Sequence, residues 1–431
     1  MITSEAKIER VLPVGSNSLR ESRERWWLMG LLMAGMVFCY AQRSALSVAA
    51  PFMIKEMSLT PAGMGLLLSA FFWLYSFMQM PAGWLVDRFG VKRAYAFGFT
   101  FWSIAAAATG YAVNLTSLII LRMLLGVGQA VAFPASARAV ADSFQDRERG
   151  IVTAGYLTGV RLGTALVSAV GGFFLAAYGW KLFFLVIGLV PLLWLLPWFA
   201  FSKRWERLSP TEAVAASPEV AAKKKSASFG ESLALLKNRS VFGIFLGFFA
   251  YDYAWFVYIS WLPGYLVIER KFSPAEMGFY SSVPFLAMSV IIIISGFASD
   301  WLIRRGHVET RVRKTFIVIG LAIACLIVPA GMVEDRQTAV WLLTISLCGM
   351  GISSPNTWTL TQAVCSKNIV GTVSGIQNFG GNLGGIIAPA LTGYIAYATQ
   401  SFALALSITG AVLVVGILSY WLLIDQKVER E

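Results

Sequence analysis

Residues 83–94 read GWLVDRFGVKRA, a charged turn between two apolar runs. The runs cover residues 62–84 and 94–112. Each is close to the ~20 residues that cross a bilayer core as helix. The turn sets one acid, Asp87, among Arg88, Lys92 and Arg93, with Gly83 and Gly90 on either side. Half a chain later, GFASDWLIRRGH (296–307) repeats the outline with Gly296, Asp300, Arg304, Arg305 and Gly306. A turn that recurs in this way marks two related units, with a site expected between them.

Working outward, twelve spans are expected, at 27–48, 62–84, 94–112, 116–139, 151–177, 181–200, 241–266, 277–297, 315–333, 338–360, 371–396 and 402–424. The composition agrees: 57% of the 431 residues are hydrophobic and 13% are charged, too few to cover a soluble protein of this size. The expected fold is therefore an all-α membrane protein of two pseudo-symmetric six-helix bundles. Residues 1–25 are read as a cytoplasmic tail, 26–201 as the first bundle and 202–240 as a cytoplasmic linker rich in Ala, Ser, Pro and Lys. The second bundle is read at 241–424 and a short tail at 425–431.

A net charge of +12 would suit nucleic acid, but its placement argues otherwise. Of the 35 Lys and Arg, 27 lie with the termini and the even-numbered turns, and 5 lie on the opposite side. Arg43, Arg122 and Arg161 are inside spans, and Arg138 and Lys181, at span ends, are counted with the adjoining turns. This asymmetry predicts both termini in the cytoplasm, and the basic face can also touch anionic lipid. No signal peptide is read in the polar first 25 residues, so the first span is expected to direct insertion. The four cysteines lack metal spacing and are read as thiols, and the only histidine, His307, falls in a turn. No metal, cofactor or nucleic acid is expected. With no Gly-rich phosphate loop and no Ser/His/Asp set, neither is an enzyme.

The 83–94 turn resembles the signature of the major facilitator superfamily. That resemblance implies a cytoplasmic gate made by Gly83, Asp87, Arg88, Gly90 and Arg93, with Asp300 as the echo. Asp87 would sit at the positive N-terminus of a helix in the other half and latch one state. The plain alternative is an orientation turn. Four further stretches are similar to the anion:cation symporter family, which holds sugar-acid, sialic acid and vesicular glutamate transporters. They are YAQRSALSVAAPFM (40–53), RMLLGVGQAVAFPASARAVADSF (122–144), SWLPGYL (260–266) and NFGGNLGGIIAPALTGYI (378–395). The resemblance implies alternating access around a site lined by helices 1, 4, 7 and 10.

Four charges lie away from the ends of the spans: Arg43, Arg122, Arg161 and, in FFAYDYAWF, Asp252. Each costs roughly 2.5–3.5 kcal/mol at mid-bilayer on insertion scales, so each must face the protein interior or a wet cavity. One carboxylate cannot neutralise three arginines. Arg43 is therefore expected to hold a substrate carboxylate, which the family also assigns to it. A permanent pair with Asp252 is the structural alternative. Two positions depart from the family, where sugar-acid members usually carry proton-binding acids: here they hold Gln42 and Gln129. Three readings stay open. Asp252 takes the proton, or the protein exchanges or facilitates without protons, or the amides are replacements that mimic protonated acids. Arg122 is read as a coupling or ion-pair residue. Arg161, in GYLTGVRLGTALVS, either contacts the anion or pairs with Asp252.

Tyr75 and Asn378 match family site positions. Tyr40, Trp255 and Asn356 are added as expected substrate contacts, with Tyr251, Asn382 and Gln377 as neighbours. Gly371/Gly375 and Gly381/Gly385 form small-residue faces that suit sliding or static packing. Pro134, Pro263, Pro355 and Pro389 interrupt spans where gates or plain kinks would serve. The expected function is secondary active transport of organic anions, coupled to protons or another cation, by a monomer in a bacterial inner membrane. A proton-independent exchanger or facilitator is the alternative, and a membrane anion sensor without transport is the rival of another class.

Overall fold

A computed structural model describes residues 25–208, 234–366 and 369–424. The expected tails and most of the linker lie outside the described residues. The expected spans lie mainly on helix. The first helix, α1, is Arg25–Glu56. A continuous stretch, Pro61–Ala108, bends at Gly90 into α2 (61–89) and α3 (91–108). Gly90 has φ +77°, a left-handed value that favours glycine, so one residue ends a helix and starts the next. Gly179 does the same at φ +73°, dividing Asp146–Leu189 so that α5 is 146–178 and α6 is 180–208. Between them lies α4 (Leu115–Ser143), interrupted after Gln129. Pro134 explains that break: it has no N–H to offer the carbonyl of Ala130.

The second half holds α7 (Arg239–Ile268), α8 (Pro274–Arg304), α9 (Glu309–Met332), α10 (Arg336–Val364), α11 (Val370–Thr399) and α12 (Ala403–Leu423). Thr60 and Ser273 cap α2 and α8, each followed by proline in the first turn, and Asp335 caps α10. The sixth helix runs to Leu208, inside the expected linker. The sequence SKRWERL holds no breaker until the residue before Pro210.

The burial pattern is that of a protein solvated by hydrocarbon. Phe77, Phe97 and Phe297 are 70% exposed or more, while Arg43, Arg122 and Gln129 are buried. Nine stretches among the described residues are long and apolar enough to cross a membrane.

The two halves pack backbone to backbone at one end. There, Ser47 Oγ on α1 donates to the Ser260 carbonyl on α7 at 2.6 Å. A Cβ on Gly65 or Gly393 would strike the facing backbone of α11 or α2, and one on Gly172 or Gly278 would strike α8 or α5. At the opposite end, where Asp87 lies, a Cβ on Gly83, Gly296, Gly371 or Gly375 would meet nothing within 4 Å. The structure is thus open at the end that carries the basic turns.

Candidate functional site between the halves

Arg43 sits near the middle of α1 and is 6% exposed. Phe71, Tyr75 and Gln79 follow at four-residue steps on one face of α2, beneath it. The guanidinium carbon lies 4.4 Å from the ring centres of Tyr40 and Phe71 and 4.8 Å from that of Tyr75. Arg43 Nε donates to Gln129 Oε1 at 3.1 Å and Nη1 donates to the Tyr40 hydroxyl at 3.1 Å. The remaining nitrogen, Nη2, is buried with no partner. Three ring faces stabilise the cation.

Arg122 is also buried, and both its Nη atoms donate to the main-chain carbonyl of Arg43, at 3.3 and 3.2 Å. It clamps α4 to α1 and brings a second positive charge beside the first. Among the described residues no carboxylate forms an ion pair with Arg43, Arg122 or Arg161. Neither the Arg43–Asp252 pair nor the Arg161–Asp252 pair is made, and Arg122 has no acid partner.

The two glutamines face different ways. Gln129 belongs to the Arg43 cluster, and its Nε2 donates to the Cys39 carbonyl at 2.9 Å. Gln42 points into the first half, where its Nε2 donates to Ser103 Oγ at 3.2 Å and to the Ile187 carbonyl at 2.9 Å. Adjacent residues on a helix point about 100° apart, and here that gives Gln42 and Arg43 different partners. Asn378 on α11 reaches across the halves and donates to Gln79 Oε1 at 2.9 Å. Arg161 on α5 also crosses, its Nη2 donating to Ser354 Oγ on α10 at 3.3 Å. Its guanidinium lies 5.5 Å from the centre of the Trp255 ring. Asp252 on α7 is half-buried and presses on Gly381, where any Cβ would overlap its Oδ2. Tyr251 Oη is buried without a partner.

Asn356 and Gln377 are engaged elsewhere. The Asn356 side-chain oxygen accepts from Arg313 Nη1 at 3.2 Å, and its amide donates to Ser295 Oγ at 3.2 Å. Gln377 Oε1 accepts from Thr361 Oγ1 at 2.6 Å. The expected substrate contact of Asn356 is thus replaced by a buried network inside the second half. Sequence reading also missed Gln79, Ser354 and Arg313. The four-residue spacing of Phe71, Tyr75 and Gln79 was the available signal for the first.

At the open end, Asp87 accepts from Arg138 Nη1 on α4 at 3.1 Å, and Arg138 also binds Asp142. Arg88 lies over Trp84, and Arg93 is exposed. Asp300 pairs with Arg313 Nη2 at 2.6 Å. Each acid of the repeated turn is held within its own half, and the latch expected across the halves is not made in this conformation. Losing an exposed pair costs about 0–1 kcal/mol. Asp87→Asn should therefore act mainly on the state in which the latch forms. With Gly375→Cys as reporter in a background lacking native cysteines, Asp87→Asn is expected to raise labelling several-fold. Unchanged labelling would leave Asp87 as an orientation residue.

These features, a repeated acid-base turn and buried arginines between two halves that meet at one end, agree with the comparison to known proteins. The model of the Major Facilitator Superfamily matches residues 32–389. The chain belongs to that family. A D-galactonate transporter of Escherichia coli is 32% identical over 420 residues, covering 95% of this chain and 97% of the relative. A hexuronate transporter of Bacillus subtilis is 32% identical over 394 residues, 90% and 91% of the two chains. Among solved structures, a bacterial homologue of the human lysosomal transporter Spinster, inward-facing and unoccupied, aligns with TM-score 0.76 at 19% identity over 93% and 97% of the chains. A D-xylose-proton symporter aligns with TM-score 0.73 at 16% identity over 93% and 98%. This major facilitator protein is a multi-pass membrane transporter, and its family and relatives are transporters, not enzymes.

Proposed function

We propose that the protein carries sugar acids or closely related small carboxylates across the bacterial inner membrane by alternating access. The observation that carries this reading is Arg43: buried, ringed by Tyr40, Phe71 and Tyr75, with one guanidinium nitrogen unpaired and no acid partner. A carboxylate there neutralises the charge and accepts charge-assisted hydrogen bonds, about twice as strong as neutral ones. The chain crosses twelve times with both termini in the cytoplasm, in two bundles at 26–201 and 241–424 joined by a cytoplasmic linker. The open end then faces the cytoplasm, and the state is inward-open. Gln129 and Arg122 hold Arg43 in place, while Asn378 and Trp255 belong to the opposing half. The names of the sugar-acid relatives support the substrate class.

Coupling is to protons or another cation, with Asp252 as the acid that serves it. The protein works as a monomer. The experiment is accumulation of a labelled sugar acid in proteoliposomes. Protein that binds the acid and leaves the lumen empty would be a sensor instead.

A further inference from the structure

The chamber holds a second guanidinium that one carboxylate cannot serve. Gly159 and Gly163 press so closely on α1 that a Cβ on either would strike the backbone at Met33 or Val37. These glycines are four apart and share a helix face, so Arg161, midway between them, is turned away from α1 towards the second half. Its contacts agree: Trp255 on α7 and Ser354 on α10. Among the described residues it donates to a neutral hydroxyl at 3.3 Å, and its Nε is buried without a partner there. Gly163, two residues on from Arg161, packs on Val37 and Ala41 of α1, within two helical turns of Arg43, so the two cations stand at neighbouring levels of the same helix pair.

Resting on the transport reading above, we infer that Arg161 is a second anion point and that the preferred substrate carries two carboxylates, one at each end of a short polar chain. Charge supports this. Arg43, Arg122 and Arg161 against Asp252 leave two surplus positive charges within the spans. With Asp252 ionised a dianion brings these charges to neutrality and a monoanion leaves one uncompensated in a low-dielectric surround, where unpaired charges are strongly disfavoured; a proton on Asp252 raises the surplus and favours the dianion further. Geometry adds a reason for closure. Arg43 belongs to the first half, while Arg161 points to helices of the second. A carboxylate that displaces Ser354 from Arg161 therefore sits where the halves meet, and its length spans the gap they close over.

The test compares galactonate with galactarate, six-carbon acids with one and two carboxylates, by calorimetric titration of the full-length purified protein. The wild type is expected to bind the diacid at least tenfold more tightly. Arg161→Gln keeps a donor for Ser354 but removes the charge. It should weaken the diacid about tenfold or more and leave the monoacid within about twofold, and that retained monoacid binding also reports folding. Arg161→Lys keeps the charge and should keep a preference for the diacid. Equal wild-type affinities, or equal weakening of both acids by Arg161→Gln, would overturn the inference while leaving anion transport intact. If neither acid binds the wild type, the transport reading fails with it.

Discussion

Arg43→Lys is expected to lose substrate binding nearly as completely as Arg43→Ala. The lysine keeps the charge, and it can still rest on the Tyr40, Phe71 and Tyr75 rings that hold the cation now. What it lacks is the planar fork. In the present arrangement Nε is fixed by Gln129 and Nη1 by Tyr40, so Nη2 is aimed by two anchored nitrogens of the same plane. An ammonium cannot hold Gln129 and Tyr40 and still present an aligned donor to a carboxylate. A hydrogen bond to a charged group is worth about 1.5–3 kcal/mol, so affinity should fall about ten- to a hundredfold in either variant. The measurement is ligand-dependent stabilisation, which amounts to about 2.7 kcal/mol for the wild type at a hundred times its Kd. Wild-type affinity in Arg43→Lys would rule out the aligned Nη2 donor and reduce Arg43 to a point charge.

Uptake should respond to an imposed pH gradient in the wild type and lose that response in Asp252→Asn. Gln42 and Gln129 are neutral amides, and both are tied into hydrogen bonds within the first half. Asp252 is the one carboxylate inside a predicted span, has no ion-pair partner among the described residues, and lies within electrostatic reach of Arg161. A cation in the neighbourhood favours the ionised form of a carboxyl group. A substrate carboxylate that takes the field of Arg161 removes that support from the Asp252 anion, so anion entry favours proton uptake. Transport would then follow the inward proton gradient. The route is wrong if Asp252→Asn responds as the wild type does. If only Gln42→Asp with Gln129→Glu responds, the two amides have switched off a mechanism that this chain otherwise retains in outline.

The fold was legible because hydrocarbon solvation writes a long, simple signal. A run of about 20 apolar residues has one cheap structure, a helix, and the expected spans lie mainly on helix, with breaks inside 116–139 and 315–333. The breaks at Gly90 and Gly179 could not be fixed from the sequence, because glycine permits a left-handed turn without requiring it. Of the site, Arg43 was readable from the cost of its charge, and Gln129 follows from its seven-residue spacing from Arg122 on α4. The directions of Gln42 and Arg122 were not readable. Polar side chains at adjacent helix positions differ only in what packs beside them, and that depends on α3, α6 and the carbonyl of Arg43. Asn356 misled for the same reason: its partner, Arg313, lies on another helix and is counted in sequence as part of a cytoplasmic turn. Contacts across the halves, such as Asn378 with Gln79 and Arg161 with Ser354, also depend on which conformation is populated.

The central claim is that an organic anion crosses the membrane through the space around Arg43. Counterflow measures this directly: proteoliposomes preloaded with an unlabelled sugar acid are diluted into a trace of the labelled one. Wild-type protein should concentrate label transiently inside, and Arg43→Lys should leave it at the level of protein-free vesicles. Saturable binding of the acid to purified wild-type protein, with no label entering the vesicles, would contradict the account.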